Sequence, residues 1–329
     1  MRSKSVTTST RSEFRDLLER DGVVLAPVVH NALAAQVINK VGGFDLVGIS
    51  GYGVSLSALG LPDAGYISMT EMVDLSRTIA ETADAPVFAD ADTGFGNAVT
   101  ARRTARQFIQ YTDLAGLFIE DQVSPKRCGH VSGKRVLPMK EAVGKVRAVC
   151  DVRDEIDPEF VIIARTDARG AANGSLADAI KRGNAYYEAG ADVIFIEGPT
   201  NEAEVERIGR EVNAPLKYNQ TGVSPFLHTD TLAKYGFSIA SVTTTRVAIV
   251  ALYDHLASLR DSGIDAEASF RKDFLKHEVG DLHKFSGMSE VMQLERAYIP
   301  EEEQSKYDTS IGHDGEAYRT EYVTEEGGE

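Results

Sequence analysis

Several features are scarce in this chain of 329 residues, and each scarcity excludes a class of protein. Its two cysteines, Cys128 and Cys150, are too few for a disulfide framework, which fits a reducing, cytoplasmic location. The apolar runs all fall short of the roughly 18 residues that a membrane-spanning helix needs. Segment 1–10 is polar and lacks the apolar core of a secretory signal, so we expect no membrane anchor and no secretion.

Basic residues are also in the minority. The 35 Lys and Arg residues face 50 Asp and Glu residues, a net charge of -15, which argues against nucleic acid as a partner because phosphate binding needs a basic surface. Only 13 of the basic residues are Lys, and an acidic, lysine-poor surface fits a halophilic protein that works in high salt. Segment 300–329 has ten acids and two bases, and we interpret it as a solvated acidic tail.

The chain alternates between short, nearly continuous apolar segments and longer amphipathic ones, the pattern of parallel strands that are buried on both faces and joined by helices. The predicted strands are residues 23–29, 45–49, 86–89, 116–119, 161–164, 192–196, 215–218 and 237–242. The predicted helices are residues 12–20, 31–41, 70–83, 97–112, 138–154, 175–189, 201–212, 229–235, 245–262, 267–276 and 289–297. Ser175, Thr200 and Thr229 are predicted to cap helices.

Eight strand–helix units predict an α/β protein with a (β/α)8 TIM barrel over residues 23–262. An N-terminal helix in residues 1–22 precedes the barrel, and a helical extension with the acidic tail follows in residues 263–329. An open doubly wound sheet is disfavoured because no G-x-G-x-x-G motif follows the first strand.

Polar or charged residues close six predicted strands in succession. They are Ser50, Asp90 with Asp92, Glu120, Arg165, Glu197 and Asn219. The carboxyl ends of barrel strands meet at one face, where barrel enzymes have their active sites. Charges that converge there would be costly without a function, so we expect the active site at this face.

Three carboxylates of this set and a fourth on a nearby loop suggest a metal site. Strand alternation would put Asp90 and Asp92 on one side of their strand, with Glu120 on the next strand and Asp63 on a long loop. Oxygen ligands of this kind suit Mg²⁺ or Mn²⁺. The alternative is helix capping and ion pairing with nearby cations.

The loop of residues 126–130, with the sequence KRCGH, contains a second candidate group. Lys126, Arg127 and His130 surround Cys128 and favour its thiolate form, which suits a general acid or base. Cys150 lies in an apolar helix and is expected to be inert. A zinc site is disfavoured because no second Cys or His has ligand spacing.

Together these segments resemble the isocitrate lyase/phosphoenolpyruvate mutase superfamily. The resemblance lies in residues 90–96 (DADTGFG), 119–122 (IEDQ), 126–130 (KRCGH) and 164–168 (ARTDA), and KRCGH is specific to the carbon–carbon lyase branch. It implies a (β/α)8 barrel, Mg²⁺ dependence, and homotetramers that exchange a C-terminal helix. It also implies substrates that are 2-hydroxy acids with a 3-carboxylate.

Two activities compete within that branch. One cleaves isocitrate to glyoxylate and succinate in the glyoxylate cycle, and the other cleaves 2-methylisocitrate to pyruvate and succinate. Phe195 and the loop of residues 60–63 resemble the second group. The first group, which we favour, is resembled by Tyr52, by Tyr218 with Asn219, and by residues 133–134 and 137–138. A related oxaloacetate hydrolase and a non-catalytic binding barrel are the alternatives.

The resemblance also implies roles for individual residues. Cys128 would protonate the substrate carbanion, Arg165 and His130 would hold its carboxylate, and Glu197 would orient Arg165. Further substrate contacts are expected from Ser50, Gly51, Tyr52, Lys126, Arg127, Gly129, Asn219 and Thr221.

One position departs from the family. Gly48 stands where members of the superfamily have a tyrosine that is a candidate for handling the hydroxyl proton. Tyr52 or a metal-bound water would then have to replace it.

Overall fold

A computed structural model describes residues 9–304, so predictions for segments 1–8 and 305–329, which include most of the acidic tail, lie outside the described residues. The chain divides into two compact units, one ending at Val247 and the other starting at Ala248. The division falls within a helix, ahead of the boundary expected from the sequence. Among the described helices none is long and apolar enough to cross a membrane.

The first unit is a closed barrel of eight parallel strands, which confirms the predicted (β/α)8 fold. The strands are β1 (Val24–Val29), β2 (Val47–Ile49), β3 (Val87–Asp90), β4 (Gly116–Glu120), β5 (Val161–Thr166), β6 (Val193–Ile196), β7 (Leu216–Asn219) and β8 (Phe237–Thr243). They pair in sequence order, and β8 closes the barrel against β1, with Ala26 opposite Ser241. Each was predicted within a residue or two of its ends.

One helix precedes β1 in the chain, and at least one helix follows each strand. They are α1 (Thr10–Glu19), α2 (Ala32–Val41), α3 (Gly51–Val54), α4 (Met69–Thr82), α5 (Ala98–Tyr111), α6 (Met139–Ile156), α7 (Leu176–Glu188), α8 (Glu202–Glu211), α9 (Thr229–Lys234) and α10 (Thr245–Ser262). Neither α3 nor the π-helical turn Ser55–Leu59 that continues it was predicted from the sequence. The predicted cap Ser175 is confirmed, since its side chain accepts the Asp178 N–H.

Two predicted helix caps are wrong. Asn201, not Thr200, caps α8 by accepting the Glu204 N–H at 3.0 Å. Thr229 is the first residue of α9 rather than its cap, and the preceding His228 makes no side-chain cap bond. Neighbouring cap-type residues compete for one position, and the sequence does not show which has the extended backbone that a cap needs.

The barrel interior is closed at the amino ends of the strands by α1, which we call the plug. Phe14 and Leu17 of α1 are buried in the same apolar cluster as Leu46, Val161 and other inward-facing strand residues. The Phe14 ring stacks on Phe88 with a centroid separation of 6.0 Å. The predicted leading helix is therefore an integral part of the barrel core.

Two arginines of α1 bind the plug to the loops around it. Arg11 donates to the carbonyl oxygens of Ile109 and Leu114, and its Nη1 lies 2.5 Å from Asp157 Oδ2. Arg15 donates to the carbonyls of Pro158, Glu159 and Phe160 and pairs with Asp192 at 3.1 Å. Carbonyl groups left free at the ends of surrounding elements are thereby hydrogen-bonded.

The second unit is helical over its described residues. It contains the rest of α10, α11 (Ile264–Lys276), α12 (Leu282–Ser286), α13 (Met288–Tyr298) and α14 (Glu301–Gln304). Neither α11 nor α13 has a buried residue. Large apolar side chains that are exposed in this unit include Val250, Leu252, Tyr253, Leu256, Ile264, Phe270, Leu294 and Tyr298.

Candidate active site

Five of the polar residues that close the strands lie together in the structure, whereas Ser50 caps α3. We call Asp90, Glu120, Arg165, Glu197 and Asn219 the charged layer. Arg165 lies at its centre, with Nε 3.3 Å from Glu120 Oε2 and Nη1 3.4 Å from Glu197 Oε2. Asn219 donates to Glu197 Oε2 at 3.2 Å. All but Asn219 are at most 8 % exposed, so these charges act on one another with little screening by water.

Asp90 and Glu120 form the acidic half of the charged layer. The Asp90 carboxylate accepts the backbone N–H groups of Gly51 at 3.1 Å and Asp92 at 2.9 Å. Neither oxygen of Glu120 has a hydrogen-bond partner within residues 9–304. Burial raises the pKa of Asp90 to about 6 and raises the pKa of Glu120 well above its usual range.

Asp92 and Asp63 join this half through Lys126. The buried Lys126 Nζ lies 2.5 Å from Asp92 Oδ1 and 2.7 Å from Asp63 Oδ1. Burial alone lowers the pKa of Lys126, but Asp92 and the other nearby carboxylates outweigh it and raise that pKa well above its usual range. The expected strand alternation is wrong for Asp92, because β3 ends at Asp90 and a left-handed residue, Asp92 with φ 47°, brings its side chain to the site.

These oxygens fit a hard divalent cation. Within residues 9–304 no three His, Cys, Asp or Glu side chains meet at coordination distance. Glu120 nevertheless presents two buried oxygens without hydrogen bonds, and Asp63 with Asp92 already holds one cation, the Lys126 ammonium. A set made only of carboxylate oxygens is the donor chemistry of Mg²⁺ and Mn²⁺.

The predicted cysteine and histidine face the other half of the charged layer. Cys128 Sγ lies 3.8 Å from His130 Nδ1, and His130 Nε2 lies 3.1 Å from Glu197 Oε1. The hydrogen bonds with Cys128 and Glu197 raise the pKa of His130 to about 9. Burial alone would raise the pKa of Glu197, but Arg165 and His130 lower it to about 2. At neutral pH a protonated His130 therefore bridges Cys128 and an ionised Glu197.

Gly129 brings the backbone of the cysteine loop against the charged layer. A β carbon on residue 129 would clash with the Arg165 guanidinium and would lie 2.7 Å from Glu197 Cγ. Lys134 Nζ donates to the Gly129 carbonyl, and the Cys128 N–H donates to the Asp63 carbonyl at 3.0 Å. The loop is thus bonded on both sides of Cys128, and only glycine fits between it and Arg165.

Other predicted site residues have different surroundings. The Ser50 side chain accepts the Gly53 N–H and caps α3, and Tyr52 is 45 % exposed. Arg127 is exposed, and its guanidinium donates to the Ser132 carbonyl rather than to the charged layer. Thr221 is half-buried on the loop after β7. Of these predicted residues, Gly51 contacts the charged layer through its N–H, which donates to Asp90, whereas the Arg127 guanidinium contacts Ser132 of its own loop.

The space at Gly48 is filled by a neighbouring ring. A β carbon on residue 48 would lie 2.8 Å from Phe88 Cζ and 3.1 Å from Val28 Cγ2. A tyrosine at this position is incompatible with the ring of Phe88 as it lies here. The ring of Phe88 on β3 therefore occupies the space next to Gly48 that a larger side chain would need.

A buried lysine on β7, two residues before Asn219, was not predicted from the sequence. Lys217 is 3 % exposed, and its Nζ lies 3.8 Å from the ring centroid of Phe195 and within 6 Å of those of Phe88 and Phe118. Burial lowers its pKa to about 7. The signal in the sequence was a lone lysine inside the apolar strand of residues 215–218.

The closed barrel, with buried carboxylates and a cysteine–histidine pair at the carboxyl ends of the strands, has the architecture of a (β/α)8-barrel enzyme. The family model described as phosphoenolpyruvate phosphomutase matches residues 14–260. The chain belongs to this family, and to the phosphoenolpyruvate mutase/isocitrate lyase superfamily that the sequence resembled. It is therefore an enzyme related to carbon–carbon lyases, as predicted.

Three characterised relatives differ in their substrates. The chain is 39 % identical to 2,3-dimethylmalate lyase of Eubacterium barkeri over 294 residues, which cover 88 % of this chain and 98 % of the relative. It is 37 % identical to 2-methylisocitrate lyase of Halalkalibacterium halodurans, covering 76 % and 82 %. It is 30 % identical to isocitrate lyase of Haloferax volcanii, covering 91 % and 90 %.

Solved structures agree with the fold. A 2,3-dimethylmalate lyase matches with a TM-score of 0.80 at 27 % identity, covering 93 % of this chain and all of that one. A phosphonopyruvate hydrolase in complex with oxalate and Mg²⁺ matches with a TM-score of 0.78 at 28 % identity, covering 89 % of this chain and all of that one. Superfamily members thus include Mg²⁺-binding enzymes.

Proposed function

We propose that this chain is a Mg²⁺-dependent carbon–carbon lyase that splits a 2-hydroxy acid with a 3-carboxylate into a 2-oxo acid and a second carboxylic acid. The observation that carries the proposal is the division of one buried layer into two halves. Asp90 and Glu120 form an acidic half suited to a cation. In the other half Arg165 pairs with Glu197, and His130 lies between Glu197 and the thiol of Cys128.

Mg²⁺ held by Asp90, Asp92, Glu120 and Asp63 would supply polarisation of the substrate hydroxyl and of the carbonyl that forms from it. The fit rests on the two buried oxygens of Glu120, which have no hydrogen-bond partner among the described residues.

The protein's own side chains act on the part of the substrate that becomes the second carboxylic acid. As the C2–C3 bond breaks, the 2-hydroxyl loses its proton to a water in the site and its oxygen becomes the carbonyl of the 2-oxo acid. The electron pair of the broken bond stays on C3 and delocalises into the 3-carboxylate, whose charge Arg165, His130 and Asn219 stabilise by donating hydrogen bonds. The Cys128 thiol gives its proton to C3, and His130, 3.8 Å away, resupplies it. Glu197 keeps Arg165 in place by ion pairing and His130 in place by a hydrogen bond.

The relatives bear on the substituent at C2. The sequence favoured isocitrate, with hydrogen there, but the two relatives of higher identity are named for 2,3-dimethylmalate and 2-methylisocitrate, which have a methyl group. We therefore rank the methylated substrates first and isocitrate second. One methyl group is worth only about 1–3 kcal/mol in a pocket, so all three belong in one assay.

The test is a side-by-side assay of 2-methylisocitrate, 2,3-dimethylmalate, isocitrate and oxaloacetate with Mg²⁺, in low and in high salt. We expect pyruvate from the first two at a higher kcat/KM than glyoxylate from isocitrate, and greater activity in high salt. Exclusive production of oxalate from oxaloacetate would establish a hydrolase instead. Oxalate, which a related hydrolase binds with Mg²⁺, serves as a non-reacting dicarboxylate probe of the same site.

We also propose that the chain forms a homotetramer that exchanges its C-terminal helices. In support, α11 and α13 have no buried residues and α10 exposes Val250, Leu252 and Tyr253. Light scattering after size exclusion measures the mass, and a monomer of 35.7 kDa would contradict the proposal. The charge pattern gives no reason to expect nucleic acid as a partner.

A further inference from the structure

Asp121 is the residue after Glu120 and lies on the other side of the sheet from it. Whereas Glu120 points into the barrel, the Asp121 carboxylate lies among side chains of β5 and α7 and is 3 % exposed. It accepts four hydrogen bonds. The donors are the Thr166 hydroxyl at 2.7 Å, the Asp167 N–H at 3.0 Å, the Tyr186 hydroxyl at 2.7 Å and Arg182 Nη1 at 3.1 Å.

The two donors from α7 are themselves fixed. Tyr186 is fully buried and Arg182 is 5 % exposed. Arg182 Nε also donates to Asp178 Oδ2 at 2.8 Å, and its Nη1 lies 3.3 Å from the Tyr186 hydroxyl. A buried polar group with all its partners present has one arrangement of low energy, so this group of residues is rigid.

The rigid group connects directly to the charged layer. Asp121 holds the backbone N–H of Asp167, and the Asp167 carboxylate receives Arg165 Nε at 2.9 Å and Nη2 at 3.0 Å. This two-point clamp fixes the plane of the Arg165 guanidinium and leaves Nη1 toward Glu197. An arginine side chain is flexible by itself, so its direction depends on what holds it.

We propose that Asp121, Tyr186 and Arg182 are positioning residues that set the direction of Arg165, through Asp167, for binding a substrate carboxylate. The inference rests on the proposed function only in giving Arg165 a carboxylate to bind. None of the three positioning residues lies in the charged layer, so they act through Arg165 and not on the reacting atoms.

The test uses Tyr186→Phe, which removes one donor to Asp121 and keeps the buried ring. Its matched control is Tyr187→Phe, the next residue of α7, which is 42 % exposed. Oxalate binding in the presence of Mg²⁺ is measured by calorimetry, and thermal unfolding is measured in parallel. Both variants are also made in an Arg165→Lys background, which keeps the charge and removes the two-point clamp.

We expect Tyr186→Phe to weaken oxalate binding about three- to tenfold, the value of one hydrogen bond, and Tyr187→Phe to leave it unchanged. The loss of affinity should disappear in the Arg165→Lys background, whereas any drop in Tm should be the same in both backgrounds. Asp121→Asn, which keeps the shape and an acceptor oxygen, is the second variant should Tyr186→Phe fail to fold.

A fall in Tm with unchanged oxalate affinity, or an equal loss of affinity in both backgrounds, would make the group purely structural. Wild-type protein that binds no oxalate would overturn the role of Arg165 and the inference with it. If oxalate binds with the expected coupling but none of the assayed substrates is cleaved, only the proposed lyase activity fails. The two proposals are thus separable.

Discussion

Both ends of the barrel contain arginines close to carboxylates, but the hydrogen bonding of these groups differs between the ends. At the plug, Arg11 and Arg15 donate to carbonyl oxygens and to the half-buried carboxylates of Asp157 and Asp192, and apolar packing around Phe14 closes this end. At the charged layer, Arg165 is buried among carboxylates, and both oxygens of Glu120 have no hydrogen-bond partner among the described residues.

This difference indicates that the plug contributes mainly to the stability of the fold and the charged layer mainly to the reaction. A residue of the plug gains by having every polar group paired and every apolar surface covered, which stabilises the fold. A residue of the charged layer is held in an arrangement that costs free energy unless a cation or a substrate completes it. Substitutions at the two ends should therefore change different measured quantities.

Cys128→Ser should have the largest effect on chemistry. Serine is a far weaker acid than a thiol, so kcat should fall about 10²–10⁴-fold, while oxalate binding and Tm stay close to wild type. Cys150→Ala is the control, because Cys150 is buried in α6 and burial raises its thiol pKa to about 12. Full activity in Cys128→Ser would remove the assigned role.

Phe14→Ala should have the largest effect on stability. Removing a fully buried ring that stacks on Phe88 should lower the free energy of unfolding by about 3–5 kcal/mol, with kcat per folded molecule unchanged. Phe226→Ala is the control, since Phe226 is 69 % exposed. Urea unfolding measures the stability of both variants, and an activity assay of the folded protein measures their kcat. A loss of kcat in Phe14→Ala without a loss of stability would contradict the separation of the two ends.

Gly129→Ala should reduce activity about 10²-fold, because the added methyl group displaces Arg165 or the cysteine loop by about an ångström. Gly144→Ala in α6 is the matched control, since a β carbon there meets nothing within 4 Å and should be neutral or stabilising. The measurement is kcat/KM for both variants. Equal rates would show that Gly129 does not lie against Arg165.

His130 should give the smallest effect, a pH dependence of stability. Its pKa is raised from 6.5 to about 9 in the folded state, so its stabilising contribution is complete below pH 6.5 and disappears as the pH rises through about 9. The difference in free energy of unfolding between wild type and His130→Gln should shrink over this range. A difference that grows with pH would have the wrong sign for this assignment.

The sequence predicted the eight strands because parallel strands buried on both faces appear as continuous apolar runs. It also predicted where Asp90, Glu120 and Arg165 converge, since strand ends meet at one face of a barrel. It did not predict the left-handed turn at Asp92 or the place of Arg127, which depend on loop conformation.

The contacts of Asp121 and Lys217 could not be predicted from the sequence because their partners lie far away along the chain. Strand alternation shows that Asp121 faces away from Glu120, but not that Tyr186 and Arg182, more than sixty positions later, meet it there. Lys217 reads as an ordinary interruption of an apolar strand until Phe88, Phe118 and Phe195 are seen around it.

The central claim is that the charged layer is a metal-dependent lyase site. The most direct measurement is the release of 2-oxo acid from 2-methylisocitrate by wild-type protein stripped of metal with a chelator, before and after Mg²⁺ is added back. The account predicts no release from the stripped protein and full recovery with Mg²⁺. Equal release with and without the metal would contradict it.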